Sequence, residues 1–416
     1  MNSIKEILER VAKEVTPKKN EIILIDREVS DIRNKLENEL KAKKIDAKVL
    51  IAGSYAKNTW LSKNHDVDIF MIFNKKYKEE NISELMLSVA KNVLKNYLIL
   101  HGTRNYIKYY GKNVKIDLVP VMEINSPSLA ENSIDASPFH VQYVSNKIKE
   151  RPSLAREIRI LKQFLKAQKI YGAESYINGI SGYVSELLMI YYGSFERFLD
   201  ACEQMKPKII IDIEKHYSNE KDIFEVLSKS KTSSPLIVID PVYKERNACA
   251  SLSYDVFSKM ILAARLFKRM PSYSFFKIVR DEFSEIKRRS KARGTILIFN
   301  QLNAEKRKND VFMAKVEKKL KIVSSKLTKE GISVYDKGLT NNPLGVFIEI
   351  ETLALSKMKK HLGPPVWVNS DYFYSFIKKW KKVYVSGTLL SADVKRNFPD
   401  IEKYVYKLLK SELKNV

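Results

Sequence analysis

Cysteine is scarce. The 416 residues hold two, Cys202 and Cys249. Two distant thiols make neither a disulfide framework nor a zinc site, and the cytosol is the expected setting. No run of about 18 uncharged apolar residues occurs, so no membrane span is expected. The first turns, up to Lys19, are charged and helix-patterned, without the apolar core and cleavage site of a signal peptide. Internal repeats, low-complexity tracts and long linkers are also missing. Acidic charge is in short supply: 74 Lys plus Arg stand against 49 Asp plus Glu, a formal net charge of +25. That excess suits a polyanionic partner, most simply nucleic acid; a solvated lysine-rich surface is the alternative.

What is present is enough apolar residue, 44%, to build ordinary cores, and length for two to four domains at roughly 100–200 residues each. Helical spacing marks Ile4, Ile7, Leu8 and Val11, with Pro17 as a break, then a second helix from Glu21 to Lys43. Ala47–Ala52, Asp66–Phe73, Tyr106–Tyr110 and Val114–Val119 read as strands, the last two joined by Gly111-Lys112-Asn113. Ser83–Tyr97 reads as a helix between them. Helical patterns then dominate: Ala155–Lys169, Ser181–Tyr192 and Ser251–Met270, with strand-like pieces at Ile209–Ile213 and Leu236–Ile239. After Pro271, strands Thr295–Phe299, Gly331–Tyr335 and Leu344–Thr352 with helix Asp310–Thr328 suit an α+β sandwich of the RNA-recognition type, without its aromatic stacking signature.

The chemistry concentrates in one constellation. Gly53-Ser54 ends the first strand, and after eleven intervening residues comes Asp66-Val67-Asp68. Strand side chains alternate, so Asp66 and Asp68 share a face. Two carboxylates on one face repel unless a cation neutralises them. Mg²⁺ takes one or two carboxylates together with substrate phosphates. Asp117 stands between Ile116 and Leu118, and an acid in an apolar strand is seldom left unpaired. If its strand lies beside Asp66–Phe73, the three carboxylates converge and can hold two metal ions for in-line displacement at phosphorus. Gly53 permits close backbone approach, and Ser54 offers a hydroxyl and an amide to a phosphate.

That pattern is the signature of the nucleotidyltransferase superfamily related to DNA polymerase beta. The surrounding text is similar to the archaeal, class I CCA-adding enzymes. The matches are Gly53-Ser54-Tyr55-Ala56-Lys57-Asn58-Thr59-Trp60-Leu61, Asp66-Val67-Asp68-Ile69-Phe70 and Asp135-Ala136-Ser137-Pro138-Phe139-His140. Further on stand Leu161-Lys162-Gln163-Phe164-Leu165-Lys166, Ile170-Tyr171-Gly172-Ala173-Glu174 and Gly179-Ile180-Ser181-Gly182-Tyr183. Asp240-Pro241-Val242 with Arg246-Asn247, and Leu362-Gly363-Pro364-Pro365, complete the series. The resemblance implies an α+β multidomain fold: a nucleotidyltransferase palm with a mixed sheet (residues 1–143), a helical central domain (144–270), and an RNA-recognition-like α+β body with a C-terminal tail that binds tRNA (271–416). It implies template-independent addition of CCA to the tRNA 3′ end from CTP and ATP, by two-metal attack on the α-phosphate, and repair of partial ends. The partners would be tRNA lacking all or part of its CCA, CTP, ATP and a second copy in a homodimer, with Mg²⁺ as cofactor. By the same resemblance Asp66, Asp68 and Asp117 hold metal. Ser54, Lys57, His140, Lys162 and Tyr171 hold the triphosphate, and Arg246 reads the base edge. Relatives commonly have Glu at Asp66, Arg at Lys57 and Thr at Ser137; Ala136 replaces a common Arg and receives no role.

Plainer readings exist for several of these residues. His140 would be a helix cap, Lys162 and Lys166 a solvated helix face, Tyr171 a core aromatic and Arg246 a loop arginine. His65 should face away from the aspartates. Lys287–Arg293 and Lys357–His361 are candidate phosphate contacts or solvated charge. Tyr372, Phe373, Tyr374 and Trp380 could stack on a nucleoside or pack a core, and most are expected in a core. Two other functions compete: a poly(A) polymerase-like RNA nucleotidyltransferase, and a non-catalytic RNA-binding protein with a decayed palm.

Overall fold

The computed structural model describes residues 3–279, 281–303, 310–351, 355–396, 398 and 400–414. Thr352, the expected end of one strand, lies outside them. Two compact units divide at Ile278 and Val279.

The first unit begins with helices α1 (Ile4–Val15) and α2 (Lys19–Ala42). Ser3 caps α1 in a reciprocal box with Glu6. On α2, Ile25, Val29, Ile32, Leu36 and Leu40 are buried at helical spacing. Strand β1 (Ala47–Ala52), the single turn α3 (Gly53–Ala56), strand β2 (Asp66–Phe73) and helix α4 (Ile82–Val93) follow, then β3 (Tyr97–Leu100), β4 (Tyr106–Tyr110) and β5 (Lys115–Met122). The sheet order is β1-β2-β5-β4-β3. Only β2 and β5 pair in parallel; the other pairings are antiparallel. Alternation then sorts the side chains. Val67, Ile69, Met71, Phe73, Ile116 and Leu118 pack with α2 and α4 into one core. Asp66, Asp68 and Asp117 therefore fall on the opposite face, which Phe70 and Val121 cover further along. The expected helix to Tyr97 is shorter: it ends at Val93, Leu94 is extended, and Tyr97–Leu100 pairs with β4. Ladder bonds there outweigh the helical propensity of the run.

Helices α5 (Ser137–Glu150), α6 (Ser153–Ala167), α7 (Gly182–Tyr192) and α8 (Phe195–Gln204) come next. After them stand β6 (Ile209–Asp212), α9 (Glu220–Val226), β7 (Leu236–Asp240), β8 (Tyr243–Asn247) and α10 (Tyr254–Arg269). Their core centres on Phe164, Phe195, Phe267 and Phe276, whose rings meet at 5.3–6.3 Å. The expected domain limit at 143/144 falls inside α5. The one at 270/271 precedes Phe276, which is buried in this core and whose carbonyl accepts from Gln163 at 2.6 Å.

The second unit contains α11 (Glu282–Arg293), β9 (Ile296–Gln301), α12 (Asp310–Lys329), β10 (Val334–Asn341) and β11 (Leu344–Ile350). It continues with β12 (Met358–Pro365), α13 (Asp371–Lys379), β13 (Val383–Ser386), β14 (Leu389–Lys395) and α14 (Ile401–Leu413). One antiparallel sheet runs β10-β11-β9 and a second runs β12-β14-β13. The expectation that most of the four C-terminal aromatics lie in a core holds for two of them and is corrected for the other two. Phe373 and Trp380 pack on Phe376, but Tyr372 and Tyr374 are 57% and 61% exposed, because the amphipathic α13 turns them away from the sheet.

Candidate active site

The β2–β5 pairing sets Asp68 directly beside Asp117, and Asp66 lies on the same face at the exposed start of β2. Burial and the charges of Asp117 and Asp66 push the Asp68 carboxyl up to about 6, against the pull of Lys57 and Lys108. Lys108 comes from β4, opposite Asp117 in register. Its Nζ lies 2.7 Å from Asp117 Oδ1 and 2.8 Å from Oδ2. Burial alone would lower this ammonium; its hydrogen bond and charge pairing with Asp117, helped by Asp66, more than offset that and raise it.

Gly53 has a steric reason to be glycine. Its φ is +63°, and a Cβ there would stand 1.7 Å from Asp68 Oδ2. The sharp turn thus lets β1 pass against the carboxylate. Among the described residues, no three Asp, Glu, His or Cys side chains close on one point as a metal cage. The donor set that suits a divalent cation is Asp68 with Asp117, and Asp66 on the same face. Two adjacent carboxylates, one driven toward protonation, lack positive charge.

Cations gather on the other side of the same site. Lys57, just after α3, is buried and lies 2.5 Å from Glu186 Oε2 on α7. Lys162, on α6 and 3% exposed, lies 2.9 Å from Glu186 Oε1 and donates to Thr59 Oγ1 at 3.0 Å. Thr59 donates to Glu186 Oε1 at 2.6 Å. Glu186 is itself buried; burial would raise it, but the two lysines hold it down to about 2. Burial lowers Lys162 to about 8 despite Glu186. The solvated-face reading of Lys162 is therefore wrong: its ammonium sits in the interior. Arg159, also buried, donates to the carbonyls of Trp60 at 3.0 Å and Asn58 at 2.7 Å, fixing the loop after Lys57. Tyr171 packs its hydroxyl against Gly182, where a Cβ would come within 2.7 Å. Lys166 lies 5.0 Å from the Tyr171 ring, and burial lowers its ammonium although Asp66 raises it. Ser54 is half-buried on α3, and its carbonyl accepts from Thr59 N at 2.9 Å.

His140 and Arg246 are brought together by a residue to which the sequence attached no role. Asp240, fully buried at the end of β7, lies 2.9 Å from His140 Nε2 and accepts from Arg246 Nη1 at 2.5 Å. Tyr183 donates to it at 3.1 Å and lies 4.3 Å from the His140 ring. Neither the helix-cap reading of His140 nor the loose-arginine reading of Arg246 survives these contacts. His65 points at Glu21 Oε1, 2.8 Å away, not at the aspartates.

Motif reading gave no role to Glu186, Lys108 or Asp240, the last though it stands in a matching motif. Each left a trace: Glu186 is the one acid in the near-apolar stretch Ser181–Tyr192, and Asp240 closes the apolar run Leu236–Ile239. Lys108 is the charged position of the aromatic strand β4. In the second unit the basic candidates are partly committed. Arg288 and Arg289 pair with Glu285, Arg293 with the buried Glu349, and Lys359 with Glu330. His361 stacks on Phe376. These side chains serve the unit's own structure first.

Comparison with known proteins follows the same layout. Residues 33–140 match the nucleotidyltransferase domain, 156–277 the second domain of tRNA nucleotidyltransferases, and 293–415 the C-terminal domain of the CCA-adding enzyme. The chain is 37% identical over 361 residues to the CCA-adding enzyme of Nanoarchaeum equitans, covering 85% of this chain and 88% of that one. It is 30% identical over 411 residues to that of Picrophilus torridus, covering 98% and 90%. With that of Methanocaldococcus jannaschii it shares 28% over 429 residues, covering 100% and 92%. Among solved structures, the Cid1 poly(U) polymerase matches 66% of this chain and 98% of its own at a TM-score of 0.52 and 14% identity. A cytoplasmic RNA terminal U-transferase matches the same shares at 0.52 and 13%. At such identities the structural likeness concerns the fold alone.

Proposed function

The chain belongs to the CCA-adding enzymes, and from that premise we propose how its own side chains extend tRNA 3′ ends with CMP, CMP and AMP, without a nucleic-acid template. The observation that carries the reading is the side-by-side placement of Asp68 and Asp117 on parallel strands, within electrostatic reach of Lys57. Asp66, Asp68 and Asp117 would hold Mg²⁺. When bound, that ion supplies the positive charge that favours ionisation of the 3′-hydroxyl and departure of pyrophosphate.

The protein groups do the rest. Lys57 and Lys162 share one carboxylate, Glu186, and so carry one positive charge in excess. That excess, with His140, Ser54 and the Tyr171 hydroxyl, suits the triphosphate of CTP or ATP. Lys57 is a point charge where relatives commonly have an arginine fork, so it binds phosphate without bidentate geometry. Burial around Lys162 and Tyr171 excludes water and strengthens each contact. Arg246 donates only; it suits the acceptor edges of cytosine and adenine, whereas guanine would present a donor there. Removal of the hydroxyl proton and in-line attack on the α-phosphate then join the new nucleotide to the RNA and release pyrophosphate. The palm, the helical half of the first unit and the C-terminal body are proposed as nucleotidyl-transfer, nucleotide-recognition and tRNA-binding parts. A homodimer and a cytosolic setting complete the proposal on the family resemblance; sedimentation of the purified chain reads the first directly.

Incorporation of each labelled nucleotide tests the reading, on tRNA ending at the discriminator base or after one or two cytidines, with Mg²⁺. Two CMP and then one AMP, with no further growth, is the expected result. Unlimited AMP addition to any RNA, with no use of CTP, would replace this reading with a poly(A) polymerase.

A further inference from the structure

Asp240 carries more contacts than its place in a hairpin requires. The strand β7 is buried along its whole length, and its pairing with β8 slips between Ile239 and Asp240. Such a slip re-aims the side chain that follows it. Oδ1 then does local work: it accepts from the Val242 amide at 3.1 Å, holding the turn, and from the Tyr183 hydroxyl at 3.1 Å. Oδ2 does something else. It is shared between His140 Nε2 from α5, 2.9 Å away, and Arg246 Nη1 from β8, 2.5 Å away. Tyr183 closes the group from α7, with its ring 4.3 Å from His140 and 6.0 Å from the Arg246 guanidinium carbon.

We propose that Asp240 is a positioning residue that couples recognition of the base to the grip on the triphosphate. The proposal rests on the reading of His140 as a triphosphate ligand and Arg246 as the base reader. Those groups serve opposite ends of one nucleotide, yet a single oxygen fixes the distance between them. A guanidinium displaced by a wrong base pulls on the oxygen that orients the imidazole, so a poor fit at the base loosens the phosphate end as well. Burial tends to raise Asp240 itself, but His140 and Arg246 hold it below the ordinary carboxylate range. It therefore stays ionised while both partners work. Asp240 touches no part of the nucleotide in this scheme.

A double-mutant cycle decides the matter. The full-length chain is titrated with CTP and UTP in the wild-type background, as His140→Ala, as Arg246→Ala and as both. Coupling predicts that the double variant loses CTP affinity by about fivefold or more less than the product of the single losses, within the range seen for residues in one network. In an Asp240→Asn background the losses should multiply, and the preference for CTP over UTP should fall by about tenfold, the low end of what a base-reading contact supplies. Multiplying losses in the wild-type background, or the same coupling with Asp240→Asn, would overturn the proposal. So would unchanged CTP preference in Asp240→Asn, which is what a residue holding only the hairpin would give. Should Asp240→Asn fail to fold, the wild-type cycle alone still decides. A single variant that binds CTP like the wild type overturns the role of that residue and the coupling with it. Losses in both singles that simply multiply overturn the coupling and leave the reading of the site intact.

Discussion

The two sides of the site handle charge in opposite ways. On the palm strands, carboxylates crowd together, and Lys108 forms its ion pair with Asp117 while pulling only from a distance on Asp68. On the helical side, basic groups are gathered around two buried acids: Lys57 and Lys162 share Glu186, and His140 and Arg246 share Asp240. The first arrangement leaves acidic charge short of cations, in keeping with the proposed Mg²⁺ site. The second is nearly self-sufficient, and a nucleotide would tip it rather than complete it. Losses on the palm side should therefore strike chemistry, and losses on the helical side should strike stability, binding and selectivity.

The largest effect is expected from Asp68→Asn. Removal of a proposed metal carboxylate should lower single-turnover incorporation on the order of a thousandfold or more, since metal stabilisation supplies several kcal/mol. Wild-type rates for this variant would dissolve the distinction between the sides. The same residue gives a pH test. Its folded value, about 6, lies above the ordinary 3.8. Protonation therefore favours the folded chain, a contribution complete below the ordinary value and lost as pH rises through about 6. Thermal unfolding in EDTA should show that slope in the wild type and lack it in Asp68→Asn. In the same window protons compete with metal, so the Mg²⁺ needed for half-maximal activity should rise as pH falls below about 6.

Next comes Glu186→Gln. It strands two buried ammonium groups, and stability by chemical denaturation should fall by roughly 3–5 kcal/mol. CTP, by supplying the missing anion, should restore part of that loss; a variant as stable as the wild type would mean that the lysines are not held by this carboxylate. Arg246→Ala should cost discrimination of CTP and ATP from UTP and GTP about 10- to 100-fold, the usual reach of one good base contact, with tRNA affinity nearly unchanged. The smallest effect belongs to Tyr372→Ala and Tyr374→Ala. Exposed side chains of this kind should move unfolding by no more than about 0.5 kcal/mol; a large drop would return them to a core.

What was legible in the sequence follows from how far each signal reaches along the chain. Asp66, Asp68 and Asp117 stood out because a half-buried strand imposes a period of two, and acids at those positions break it. Strands β1, β2, β4 and β5 and the helices α6, α7 and α10 were readable from their periodicity, with ends off by a few residues; the helices α5, α8 and α9 and the strands β8 and β12 to β14 were not named. The strand Tyr97–Leu100 was not, because its partner is β4 and the ladder, not local spacing, makes it a strand. The Asp240–His140 contact spans 100 residues, and that of Glu186 with Lys57 spans 129. No local pattern encodes a partner at such distance; a lone acid in an apolar stretch says only that some partner exists. Tyr372 and Tyr374 misled because aromatic content suggests burial, while the face of α13 decides it.

The most direct test of the division between the two sides is Asp117→Ala, measured for incorporation and for binding on the same preparation. Single-turnover CMP addition to tRNA ending at the discriminator base should be abolished, while tRNA affinity stays within about tenfold of the wild type, since the carboxylate is proposed to serve the metal and not the phosphate backbone. Incorporation at the wild-type rate, or a collapse of tRNA binding in step with activity, would contradict the account.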